Sequence, residues 1–334
     1  MILVTGGTGL VGSHLLYHLT QKEDKIRAIY RSESSLDNVK KVFELYQQQI
    51  TSLFEKIDWI KADITDVTSL STVFSDEITH VYHCAALVSF NPKYYQKMRK
   101  VNIEGTANIV NFCIEYKIQK LCHVSSIATL GNSINNKAIS EKNEWNNTID
   151  NGYAITKHGA EMEVWRGTQE GVDMVMVNPG VILGSGFFDT GSGKLFSKIY
   201  NGFPFYTSGS TGFVGVIDVV NSMMSLMNSE VKNDRFIVIS ENHSFKSVFF
   251  AIADAFNKKR PALKIGKLGL ECFWRVQSIL AKLTGKEPLI TKNSARASYN
   301  KEVFNNTKII ETLNYSFTPI DEVIHNTCKD YLKP

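Results

Sequence analysis

The sequence predicts an α/β fold: a doubly wound parallel sheet with a smaller lobe towards the C-terminus. Three observations predict it. Residues 1–19 (MILVTGGTGLVGSHLLYHL) run from a short apolar stretch through a glycine-rich turn into a helical apolar spacing. Apolar, β-branched runs then alternate with helical spacing as far as about residue 177, and such alternation builds parallel βαβ units. A chain of 334 residues, 43% hydrophobic and 21% charged, is long enough for one large domain with an appendage.

Composition narrows the class. The formal charge of +4 is small for this length, and no Lys/Arg block points to nucleic acid. Five scattered cysteines, Cys84, Cys113, Cys122, Cys272 and Cys328, show no metal-binding spacing and fit reduced thiols. The first strand starts at Ile2, which leaves no room for a signal peptide, and no uncharged run reaches transmembrane length. The expectation is a soluble cytoplasmic protein with a small-molecule substrate, no metal, no nucleic acid and no integral membrane segment.

Ile2, Leu3 and Val4 read as a buried parallel strand. Thr5 to Gly12 follow as T-G-G-T-G-L-V-G. Gly6 allows a sharp turn, Gly9 a close approach to a pyrophosphate, and Gly12 tight packing of helix on strand. Thr8, Leu10 and Val11 complete a helix N-terminus with free N–H groups. A glycine loop alone is weak evidence. At a strand–helix junction it predicts dinucleotide binding.

Residues 25–31 read as the second strand. An NAD site usually places an acid near its end to bind the ribose 2′-OH. Here stand Arg31 and Ser32, with Glu33 the nearest acid. Guanidinium and hydroxyl suit a 2′-phosphate, which favours NADP over NAD, unless Arg31 is simply a solvated charge. Residues 36–56 fit one or two surface helices, and residues 58–62 a strand. Asp63, followed by Ile64, can reach the adenine or, with Asp66, cap the next helix.

Residues 80–86 form a strand closed by Cys84, Ala85 and Ala86, small enough for a cofactor to pass. Asn102 opens a long helix, and the strand 121–126 ends in Ser125 and Ser126, where ligands bind such sheets. Tyr153 and Lys157 are four residues apart in a helical context, so they share one face. The strand 172–177 leads to Asn178, Pro179, Gly180 and Val181, then to a glycine-rich loop over 184–193. Residues 1–186, with returns from about 214–240, make the dinucleotide-binding domain, and 187–334 mainly the substrate lobe.

In this order the motifs resemble an extended short-chain dehydrogenase/reductase, the NAD-dependent epimerase/dehydratase group, over nearly the whole chain. They are T-G-x-x-G-x-x-G at 5–12, D-I-T-D at 63–66, H-C-A-A at 83–86, V-N-x-x-G-T at 101–106, S-S-x-A-x-x-G at 125–131, Y-x-x-x-K at 153–157, N-P-G at 178–180 and F-V-x-V-x-D-V at 213–219. The resemblance implies a Rossmann fold, Tyr153 as acid/base and Lys157 on the nicotinamide ribose, lowering the tyrosine pKa. It implies Ser126 on the reacting oxygen, with Ser125 as fallback, and Asn102 shaping the site. Ala85, Ala86, Pro179, Gly180 and Val181 would line the cofactor. Two departures stand out. Cys84 replaces an asparagine and reads as a buried apolar residue, and Asn178 replaces the usual arginine, so an Arg contact is missing.

Within the family, residues 199–217 carry no Lys or Arg but hold Phe203, Phe205, Tyr206 and Phe213, while Phe90, Tyr94, Tyr95, Phe187 and Phe188 sit in loops near the nicotinamide. An aromatic wall favours an apolar substrate over a diphosphate, although some rings must be core. The resemblance is therefore nearest the dihydroflavonol reductase and 3-beta-hydroxysteroid dehydrogenase branch, which interconverts alcohol and ketone. Arg235, Arg260 and Arg296 keep a nucleotide-sugar epimerase or dehydratase open. A non-catalytic regulator is disfavoured by the intact Ser126, Tyr153 and Lys157. Residues 268–283 are amphipathic and read as a lid or a homodimer face. Membrane-surface attachment is less favoured, because the helix lacks a dense basic stripe.

Overall fold

The structure, a computed structural model, describes residues 1–23, 25–133, 137–146, 151–284, 288 and 290–333, with only the backbone of 282 and 283. Six strands follow one another as β1 (Ile2–Thr5), β2 (Ile26–Tyr30), β3 (Ile57–Lys61), β4 (His80–His83), β5 (Lys120–Val124) and β6 (Asp173–Pro179). Then β7 (Val181–Leu183), β8 (Phe205–Tyr206) and β9 (Ser210–Gly215) leave the sheet, and β10 (Asp234–Val238) returns to it. The sheet has seven strands in the order β10-β6-β5-β4-β1-β2-β3, all parallel. This is a Rossmann-type sheet. The strand order reverses between β1 and β4, and the crevice outside the carboxyl ends there is where such sheets take ligands.

Burial on both faces explains the continuous apolar strands. On one face, helices Leu10–Thr20, Ser34–Tyr46 and Val216–Met227 bring Leu15, Leu16, Phe43, Val219 and Met223 against Val4, Ala28 and Val177. On the other, helices Gly105–Glu115 and Gly152–Gln169 set Ile109, Val110 and Val164 against Leu3, Val81 and Met174. The stretch expected as one or two helices forms two, Ser34–Tyr46 and Thr51–Phe54. The segment holding Asn102 differs from the expected long helix: Arg99–Glu104 winds as a π-helix before the α-helix begins at Gly105.

The lobe has its own core of Leu183, Phe196, Ile199, Phe213, Val248, Ile252 and Ile324. Its strands form a three-stranded sheet, in which β9 lies between β7 and β11 (Glu241–Ser244), and a pair of β8 with β12 (Leu263–Lys264).

Candidate active site at the carboxyl ends of β1, β4, β5 and β6

The glycine turn has the geometry an anion needs. Gly6 stands at φ +69°, and a Cβ there would lie 2.5 Å from the Ala85 nitrogen, so β1 and the end of β4 meet backbone to backbone. A Cβ on Gly12 would lie 2.2 Å from the Gly6 oxygen. Gly9 is exposed and caps helix Leu10–Thr20 without a side-chain hydrogen bond, which leaves the first N–H groups facing outward. These residues fit a dinucleotide pyrophosphate. Thr8, Leu10 and Val11 are partly exposed around the turn.

Tyr153 and Lys157 lie one turn apart on helix Gly152–Gln169, whose first turn Asn151 caps through the Tyr153 N–H at 3.1 Å. The Ser126 hydroxyl faces the Tyr153 phenol closely enough to lower its pKa and accepts from Ala128 N–H at 3.1 Å. Lys157 Nζ donates to the Val124 carbonyl at 2.7 Å. Ser126, Tyr153 and Lys157 therefore meet where β5 ends. Burial raises the Tyr153 pKa, and the influence that lowers it is the Ser126 hydroxyl rather than Lys157. Burial also brings Lys157 down to about 8, with Glu161 pulling the other way.

Glu161, one further turn along this helix face, was missed in the sequence. Its Oε1 accepts from Ser125 Oγ at 2.5 Å, Thr129 Oγ1 at 2.6 Å and Asn178 Nδ2 at 2.6 Å. Its Oε2 pairs with Arg235, from β10, at 3.3 Å. Ser125 thus gives its hydroxyl to this buried carboxylate, and of the two serines it is Ser126 that faces Tyr153. Position 178 lacks an arginine, yet a guanidinium still reaches the network from β10. The detectable signal was the four-residue repeat of Tyr153, Lys157 and Glu161.

Beneath them lie two buried histidines, stacked with centroids 5.1 Å apart. Thr106 Oγ1 donates to the Asn102 carbonyl at 2.6 Å, so it accepts from His83 Nε2 at 2.9 Å. Burial holds His83 down at about 3, hence neutral, and its Nδ1 accepts from the Thr5 hydroxyl at 2.6 Å. His123 is pushed well below its usual value by burial and then by Lys157, whose Nζ lies 3.5 Å from its Nε2. Asn102 takes no part in this stack through its side chain. Its amide bonds Leu87 N–H at 2.7 Å, Leu87 C=O at 3.0 Å and Thr156 Oγ1 at 3.0 Å.

The remaining candidates spread around the crevice. Arg31 and Ser32 follow β2 immediately and are exposed, while Glu33 accepts from Tyr30 Oη at 2.7 Å. Asp63 binds Thr65 N–H and Oγ1, both at 2.9 Å, and Asp66 caps helix Val67–Ser71. Ile64 packs in the core beside Gly105. Ala85 and Ala86 lie just past β4, and Ala85 meets Gly6 together with Cys84, whose thiol burial pushes up to about 12. Pro179 ends β6, and Gly180 links it to Val181, its N–H on the Val238 carbonyl at 3.2 Å.

The aromatic expectation divides. Phe90 stands edge-on to Tyr153 at 5.8 Å, and Tyr95 lies against Gly152. Phe213, Phe188 and Phe203 instead belong to the lobe core. Arg260 is held by Asp254 through two bonds of 2.7 Å.

A family model described as "Male sterility protein" matches residues 4–231. The chain belongs to this NAD-binding family, within the extended short-chain dehydrogenases/reductases. It is similar to a Synechocystis protein provisionally described as a dihydroflavonol 4-reductase, 23% identical over 96% of this chain and 91% of that one. It is 27% identical to anthocyanidin reductase of Arabidopsis thaliana, over 73% of this chain and 77% of that one. Its fold matches the crystal structure of Thermus thermophilus UDP-glucose 4-epimerase in complex with NAD. That match has a TM-score of 0.75 and 18% identity, covering 99% of this chain and 98% of the other. The chain is an NAD(P)-dependent enzyme.

Lys157 gives a pH signature. Its folded pKa of about 8 lies below the ordinary 10.5, so between those values the unfolded chain binds more protons and stability rises with pH. The penalty, about 3 kcal/mol, is fully present below pH 8 and gone above 10.5. Urea denaturation across this range should show wild type gaining on Lys157→Met as pH rises. A constant difference would mean that the amine is not held in this way.

Proposed function

We propose that the chain interconverts a secondary alcohol and a ketone on a small hydrophobic substrate, with NADP preferred to NAD. The observation that carries this reading is the meeting of Tyr153, Ser126 and Phe90: a phenol facing a hydroxyl beside an exposed aromatic ring. When bound, the nicotinamide supplies or accepts the hydride. In the reducing direction Tyr153, kept protonated by burial, gives its phenolic proton to the carbonyl oxygen. Ser126 donates a hydrogen bond to that oxygen as charge gathers on it. Lys157, cationic at neutral pH, binds the ribose hydroxyls. Tyr153→Phe should keep cofactor affinity while kcat falls by roughly two to four orders of magnitude. Unchanged turnover on a verified substrate would refute the assignment.

The exposed Arg31 and Ser32 support the 2′-phosphate preference, and Glu33 is occupied by Tyr30. Arg31→Ala should weaken NADPH binding by about 2 kcal/mol and leave NADH nearly unchanged in a titration. Equal losses would assign Arg31 to the fold.

Alcohol–ketone chemistry is favoured over sugar-nucleotide epimerisation because two of the three candidate arginines are engaged elsewhere, Arg235 by Glu161 and Arg260 by Asp254. A reductase releases its cofactor at every turnover, whereas an epimerase returns the hydride and can retain NAD. The purified protein should therefore be largely free of nucleotide and consume added NADPH with an apolar ketone. Near-stoichiometric NAD released on denaturation, together with tight binding of a nucleoside-diphosphate sugar, would overturn this in favour of the epimerase.

A further inference from the structure

Helix Lys267–Thr284 turns its more apolar side outward. Leu268 is 83% exposed, Ile279 60%, Val276 52%, Leu280 46% and Phe273 39%. At about 100° per residue these five, with Gly269 and exposed Cys272 between them, fill an arc of about 140° that holds no charge. The opposite side holds the helix to the protein. Leu270 is buried, Glu271 Oε1 accepts from Tyr299 Oη at 3.5 Å, and Lys267 lies over the Tyr299 ring. The apolar side is thus neither a core face nor a lid packed on the lobe.

The chain around it is strongly basic. Residues 258–275 carry Lys258, Lys259, Arg260, Lys264, Lys267 and Arg275 against Glu271 alone, a net +5, while the whole chain is only +4. Arg260 spends its charge on Asp254, but Lys259 and Lys264 are exposed just before the helix. Arg275 borders the apolar arc, its guanidinium 4.6 Å from the Trp274 ring and 57% exposed, but it is paired with Glu271 at 2.7 Å, so the free charge lies with the lysines. The dense basic stripe that the helix itself lacks is supplied by the segment before it.

We propose that this helix seats the enzyme on an anionic membrane surface, lying in the interface with Leu268, Phe273, Val276, Ile279 and Leu280 among the acyl chains. An apolar helical face beside a basic segment is the composition that such surfaces bind. The charge favours an anionic surface over a second copy, since such a surface meets the apolar arc and the basic segment together, whereas a second copy offers that segment no counter-charge of its own. Among the described residues no helix is long and apolar enough to cross a membrane, so the helix lies on the surface rather than spanning it.

The test is sedimentation of the full chain with vesicles of phosphatidylcholine, with or without phosphatidylglycerol. Binding should be at least tenfold stronger with phosphatidylglycerol and should weaken as salt is raised. Val276→Asp/Ile279→Asp should abolish binding with an unchanged thermal melt, and Lys259→Glu/Lys264→Glu should weaken binding to the anionic vesicles alone. Absence of binding, or equal binding to both vesicle types, overturns the proposal. So does dimerisation in sedimentation velocity that the Asp double variant removes, if vesicles are not bound.

Discussion

The buried carboxylate of Glu161 is the constraint on which the arrangement around Tyr153 depends. A carboxylate taken out of water costs several kcal/mol unless its oxygens are met by well-placed donors. Here four donors converge on it from three places: Ser125 and Thr129 beyond β5, Asn178 in β6 and Arg235 in β10. Each would itself be costly to leave unpaired in this interior. The set therefore forms together, and it ties β5, β6 and β10 to one face of the Tyr153 helix. Ser126 is held between Ser125 and Thr129, so its distance to Tyr153 is set from below, by residues that touch no reacting atom.

The same face explains why Lys157 remains in place before any cofactor arrives. Its ammonium is buried, bonded to the Val124 carbonyl and attracted by Glu161. The histidines under it stay neutral because burial and Lys157 itself oppose their protonation. Two imidazolium ions here would expel the lysine. Neutral rings let it sit with one positive charge where the ribose hydroxyls are expected. The hydrogen-bond chain from Asn102 through Thr106 and His83 to Thr5 leaves one tautomer for His83, so the floor of the crevice has a defined polarity.

How much of this was legible follows from the range of each interaction. The strand–turn–helix at 1–19 and the Tyr153–Lys157 pair are local, and local patterns fix them. Glu161 shows the same four-residue spacing, but its meaning lies with Asn178 and Arg235, which only the sheet order β10-β6-β5 brings together. For that reason Arg235 stood among the three arginines that kept the sugar-nucleotide alternative open, when it is an internal counter-ion. The aromatic stretch at 199–217 divided for a similar reason. An absence of charge does not distinguish a lobe core from a substrate wall, and Phe213 is fully buried. The helix at 267–284 was legible as amphipathic, but not which side faced water. Leu270 turns inward beside Trp274 and Glu271, while Leu268, Val276, Ile279 and Leu280 face outward, a division that hydrophobicity alone does not suggest.

On the proposed function, selectivity and proton transfer are carried by different kinds of structure. The loop after β4 is pinned at its root, where the Asn102 amide takes both backbone groups of Leu87 and also bonds Thr156 on the Tyr153 helix. Beyond that root, Val88 and Phe90 are exposed, and Phe90 meets the Tyr153 ring edge-on. The loop is thereby registered to the helix without being packed along its length. Side chains at its tip can change what lies against Tyr153 while Ser126, its neighbour Ser125 held by Glu161, stays where it is. A rigid buried network beneath a loosely packed apolar rim lets the substrate vary and keeps the chemistry in place.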